Sequence, residues 1–164
     1  MAFAITGTSL FTDDIRDAVT MTDFWNVSRD VYPGMRAAST DVMLVQALLV
    51  CYFVFTNVGV RPDLKTKAVA IISRSGKRFD DGIYGEDTRA VMSLFEQDMG
   101  APFKDGIVRT VPTENLDRGP ETKLKKLNFV WNMTMLGDMI GATKKETGRK
   151  SLQPVLFRDL YRGG

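Results

Sequence analysis

The chain has 164 residues, of which 44% are hydrophobic and 26% charged; these are ordinary values for a folded domain and exclude a disordered tract. It carries no histidine and a single cysteine, Cys51, which excludes imidazole-based catalysis, His-ligated zinc, cysteine-rich metal sites and internal disulfides. The formal net charge is only +2, so no nucleic-acid partner is expected; no cofactor or metal is expected either.

The length suits one domain with decorated ends. Met1–Leu10 has no basic stretch and no long apolar run, and Asp13, Asp14 and Asp17 follow at once. Such a start is not a secretory signal, and the expectation is synthesis in the cytoplasm. Residues 12–32 read as two helical pieces. Thr12 or Asp13 is placed to cap the first, with Ile15 and Val19 on its face. The second begins near Thr22 or Asp23 and carries Phe24, Trp25, Val27 and Val31, and Pro33-Gly34 ends it.

Thr40 or Asp41 is the expected cap of a long apolar helix that Asn57–Gly59 closes. From Val42 to Val60 no residue is charged, close to the roughly 20 apolar residues that span a bilayer. Gln46 interrupts the apolar run, Thr56, Asn57 and Gly59 weaken its end, and the flanks Asp41 and Arg61 show no Lys/Arg bias. A buried core helix is expected rather than a membrane span. Pro62 opens a looser segment in which Ala68–Ile72 suits a short strand or a helical turn, and residues 73–78 read as loop.

A helix is predicted over residues 86–99, where Ala90, Val91, Leu94, Phe95 and Met99 share one face. Glu86 and Asp87 stand at its positive end, and Gly100 stops it. Residues 109–119 are loop, and a last helix runs from Pro120 to about Ile140. Its apolar face is Leu124, Leu127, Trp131, Met135 and Met139; Lys123, Lys125 and Lys126 are read as solvated. The tail from residue 141 ends in Leu152, Val155, Leu156, Phe157, Leu160 and Tyr161, apolar residues suited to docking. Charge is unevenly spread: residues 1–33 hold five aspartates against two arginines, and residues 141–164 hold six Lys/Arg against two carboxylates.

One short pattern occurs twice. Phe79-Asp-Asp81-Gly82-Ile83 returns 24 positions later as Phe103-Lys-Asp105-Gly106-Ile107. Asp-Gly supplies a side-chain acceptor and a residue free to take positive φ. A glycine, two residues and a threonine follow each time, as Gly85-Glu-Asp-Thr88 and, after an insertion, as Gly119-Pro-Glu-Thr122. Val42, Val45, Gln46 and Leu49 precede the first copy, and Ala90, Val91 and Phe95 lie between the two.

This ordered set resembles the peptidoglycan-binding domain family, a small three-helix module often attached to bacterial and phage cell-wall hydrolases. The resemblance covers about residues 40–135. It implies a mainly α fold with a three-helix bundle over residues 40–140; the helical pieces before it read as an N-terminal helical arm (1–39), and the apolar, basic end as a docking tail (141–164). It also implies ligand contacts near Asp81, Gly82, Tyr84, Gly85, Thr88, Asp105 and Gly106. Three features depart from the family: Glu96 stands where glutamine is usual, the connection over residues 59–78 is long, and about ten extra residues separate Val108 from Gly119. The insertions fall where they would remodel the groove for wall peptide or sugar.

No enzymatic activity is expected. Asp80, Asp81, Glu86 and Asp87 cluster as a glycosidase pair would, but turn and helix-start roles account for them. Neither flank is long enough for a hydrolase domain. The function expected is a structural or wall-contacting part of a phage tail or contractile injection particle. Its partners would be other subunits and peptidoglycan; a stand-alone wall-binding module is the alternative.

Overall fold

The computed structural model of the chain describes residues 3–6, 23–35, 39–55, 60–75, 79–112 and 122–140. Its elements in chain order are β1 (Phe3–Thr6), β2 (Asp23–Asn26), α1 (Thr40–Val50), a π-helical turn (Cys51–Phe55) that continues α1, α2 (Pro62–Arg74), α3 (Glu86–Met99) and α4 (Lys123–Ile140). The fold is mainly helical.

α1 is the central element. Every residue from Leu44 to Leu49 is buried, so the helix is covered on all sides, as a uniformly apolar helix must be. Its cap is Ser39, whose hydroxyl accepts from the Asp41 N–H at 3.2 Å, rather than Thr40 or Asp41. Asp41 is instead buried and turned back on the preceding chain, accepting from Ser28 N at 3.0 Å and Ser28 Oγ at 2.6 Å. In the π-helical turn the Tyr52 hydroxyl donates to Asp98 at the end of α3. The Tyr52 ring stands edge-on to Phe95 at 4.9 Å between centroids. α1 and this turn meet α2, α3 and α4. No helix among the described residues is long and apolar enough to cross a membrane.

The looser segment expected after Pro62 is a helix. Pro62 takes the first helical position, where its missing N–H costs nothing. Leu64, Ala68, Ile71 and Ile72 then fall at spacings of four, three and one and turn toward the core and α3. α3 begins and ends where its residues place it: Gly100 closes it at φ +65°, with Ala101 N donating to Glu96 O at 3.0 Å. In α4 the side chains of Leu124, Leu127 and Trp131 are buried as expected; those of Met135 and Met139 lie outside the described residues.

The second N-terminal helical piece is corrected. Asp23–Asn26 is a strand, antiparallel to Phe3–Thr6 with Ala4 opposite Trp25. Its other edge is satisfied by a side chain: Asn128 of α4 accepts from Trp25 N at 2.7 Å and donates to Trp25 O at 2.9 Å. An amide that bonds both backbone groups of one residue replaces a neighbouring strand, and this long-range pairing overrides the helical spacing of Phe24, Val27 and Val31. Residues 12–22, the first piece, lie outside the described residues, as do 56–59 and the tail from 141. Phe24, Trp25, Val27 and Val31 belong to the same buried cluster as the helices.

Candidate functional site

The two Asp-Gly turns are built alike. In the first, Gly82 has φ +80°, and a Cβ there would lie 3.0 Å from both Ser39 N and Ser39 O, so only glycine fits. Asp81 Oδ1 accepts from Ile83 N at 2.9 Å, closing the turn on itself. Gln46, buried on α1, then staples the turn. Its Oε1 accepts from Gly82 N at 2.8 Å. Its Nε2 donates to Asp81 Oδ1 at 3.0 Å, Ile83 O at 3.0 Å and Thr88 Oγ1 at 2.9 Å.

In the second turn Gly106 has φ +73°, and a Cβ would stand 2.9 Å from Pro33 Cγ. Asp105 Oδ1 accepts from Ile107 N at 2.9 Å. Glu96, buried on α3, accepts from Gly106 N through Oε1 at 2.7 Å. A carboxylate has no N–H to offer the other two acceptors, and Lys123 of α4 provides it. Lys123 Nζ donates to Glu96 Oε1 at 2.5 Å, Asp105 Oδ1 at 2.8 Å and Ile107 O at 3.0 Å. Hydrogen bonding to Lys123 holds the Asp105 carboxyl well below the usual carboxylate range, with Ile107 N and Arg109 adding to the effect. Lys123, read from sequence as solvated, is buried.

The turns are joined to each other. Tyr84 is 2% exposed, and its hydroxyl donates to Gly106 O at 2.6 Å. Burial pushes its phenol up, with the charge of Glu96 the next cause. A strap from the N-terminal side crosses both turns: Val31 and Val108 exchange backbone bonds at 2.9 and 2.8 Å, Gly34 N reaches Tyr84 O at 3.3 Å, and Ser39 N reaches Gly82 O at 3.0 Å. At its start Asn26 bonds Val111 through both amide atoms, at 2.7 and 3.1 Å.

All seven residues singled out from sequence thus lie in one connected network. Gly82, Tyr84, Thr88 and Gly106 are buried within it. Asp81, Gly85 and Thr88 also line a polar depression of about 390 Å³ with Ile83, Glu86 and Asp87 at the start of α3. Gly85 is the exception to the expected reason for a glycine. Its φ is an ordinary −93° and open space stands where a Cβ would be. A second depression of about 460 Å³ adjoins the other turn, lined by Met99, Pro102, Phe103, Ile107, Arg109 and Thr122 among others, and Phe103 there is 67% exposed. The threonines differ: Thr88 accepts from Gln46, whereas the Thr122 hydroxyl accepts from Lys125 N at 3.2 Å and caps α4.

Sequence reasoning missed Lys123, Asn128 and Asp41. Only Lys123 left a signal, since an acid at 96 in place of an amide removes a donor that something else must supply. Among the described residues no group of three or more acidic or cysteine side chains is placed to hold a metal. Cys51 is buried. Comparison with protein-family models, with curated proteins and with solved structures finds no match to this chain.

Proposed function

We propose that α1, α3 and α4, with the two turns, form a peptidoglycan-binding-like three-helix core. On this reading the chain is a non-catalytic, structural or wall-contacting component of a phage tail or contractile injection particle. The observation that carries it is the matched setting of Gly82 and Gly106: each is a left-handed glycine whose N–H is held by the side chain of the preceding core helix. That match supports reading the repeat as one ordered motif. α2 and the strap are additions to the module. The acidic N-terminal segment and the basic, apolar C-terminal one suit docking on other subunits. The carboxylates that would suit glycoside hydrolysis have other work: Asp81 closes its turn, and Glu86 and Asp87 stand at the positive end of α3.

A second reading, a free wall-binding module, is favoured by the polar depression beside Asp81, Gly85 and Thr88, which is open and rimmed by Ile83 at 46% exposure. Purification of the tagged full-length chain from its own cells separates the two. The component reading expects recovery in a high-mass assembly at fixed stoichiometry. Recovery as a free monomer that sediments quantitatively with purified peptidoglycan sacculi would overturn it in favour of the module.

A further inference from the structure

We infer that Glu96 and Lys123 together do for the second Asp-Gly turn what Gln46 alone does for the first, and that this makes the second turn an electrostatic latch that closes only when α4 docks. The correspondence runs atom by atom. Gln46 Oε1 and Glu96 Oε1 each accept from the turn glycine, at 2.8 and 2.7 Å. Gln46 Nε2 and Lys123 Nζ each donate to the turn aspartate Oδ1, at 3.0 and 2.8 Å, and to the following isoleucine carbonyl, both at 3.0 Å.

The consequence lies in where the donor sits. Gln46 carries acceptor and donor on one neutral side chain of α1, so the first turn is complete without α4. The second turn borrows its donor from the first residue of α4. Both Glu96 and Asp105 are within 2.8 Å of Lys123 Nζ, and the Glu96 and Lys123 side chains are only 3% and 9% exposed. Without Lys123 two carboxylates face each other, one of them buried, and like charges so placed repel. Arg109 is half-exposed and bonds the other Asp105 oxygen at 3.0 Å, which leaves the buried Glu96 dependent on Lys123. Release of the latch also disturbs the carbonyl that Tyr84 holds. The inference does not depend on wall binding.

The test is a mutant cycle on the full-length chain, Lys123→Met, Glu96→Gln and both together, read by amide exchange at Gly106 with Gly82 as internal reference. Lys123→Met is expected to cost Gly106 at least about tenfold in protection beyond what Gly82 loses, since breaking a buried pair leaves an uncompensated charge. The double variant is expected to restore it, because the amide introduced at position 96 then presents Oε1 to Gly106 N and Nε2 to Asp105 and Ile107 O. A double variant no better protected than Lys123→Met, or a Lys123→Met protein with Gly106 undisturbed, overturns the latch. If Lys123→Met does not fold, the double variant decides alone: a folded protein with Gly106 protected supports the latch, and an unfolded one contradicts it.

Discussion

At the scale of single residues the glycines of the repeat separate cleanly. Gly106 holds φ +73° with Pro33 Cγ 2.9 Å from where a Cβ would stand. Gly106→Ala should therefore lower unfolding free energy by at least about 1–2 kcal/mol, from left-handed strain and the clash together. Gly85 has ordinary dihedrals, open space and no side-chain cap bond at the start of α3. Gly85→Ser should be neutral or stabilising by a few tenths of a kcal/mol, since serine offers the N-cap oxygen that glycine lacks. Urea titration of both variants checks the contrast; equal losses would contradict it. Gln46 is the residue whose removal should cost most in the first turn. Gln46→Leu takes the acceptor from the buried Gly82 N–H, while the Ile83 carbonyl keeps the Gly85 N–H at 2.9 Å. A loss of roughly 1–3 kcal/mol in the same titration is expected for a buried backbone donor left unsatisfied.

Asp105 makes stability depend on pH in the acid range. Its carboxyl is held below its ordinary value chiefly by the hydrogen bond from Lys123, so the folded state binds its proton more weakly than the unfolded chain does. The stability this contributes is fully present above the unfolded pKa of about 4 and is lost as pH falls below that toward the lower folded value. Denaturant midpoints measured from pH 7 down to about 2.5 should hold steady and then fall, and Asp105→Asn should flatten the fall. An unchanged acid slope in that variant would place the titration elsewhere.

At the scale of elements, what the sequence discloses depends on whether the cause is local. α1, α3 and α4 are legible because their signals are local: α1 is an uninterrupted apolar run, α3 carries an apolar face closed by Gly100, and α4 places Leu124, Leu127 and Trp131 at helical spacing. α2 is less so: only Leu64 and Ala68 are fully buried on it, and charged residues surround them. β2 is not legible at all, because the group that completes its edge, Asn128, lies 103 positions away. Asn128→Leu should uncouple β2 from α4, leaving Trp25 N–H and C=O without their present partners. A cost of about 2 kcal/mol or more is expected, with the Trp25 amide losing exchange protection first. Retained protection at Trp25 would show that β2 is held by β1 alone. In the candidate site the turns themselves are legible, since Asp-Gly carries its geometry in the residues. Glu96 signals that a donor is needed there, but nothing near Lys123 in the chain distinguishes it from its neighbours Lys125 and Lys126 as that donor.

At the scale of the molecule, the residues that a family resemblance marks for ligand contact are also those that hold the core together. Tyr84 ties one turn to the other, and the strap bonds both through Val31, Gly34 and Ser39. Residues 24–35 therefore act as part of the helical core rather than as a separate arm. The two depressions beside the turns differ in character, one polar and acidic, the other apolar with Phe103 exposed. The proposed contact with the wall belongs to the first; Lys123 is among the residues that line the second.

The equivalence of the two turns is tested most directly by amide hydrogen exchange of the unmodified full-length protein at Gly82 and Gly106. Both N–H groups donate to buried side chains of core helices, so both should be strongly protected in the folded protein. Exchange at either glycine at the rate of an open surface loop, while α1 stays protected, would contradict the account.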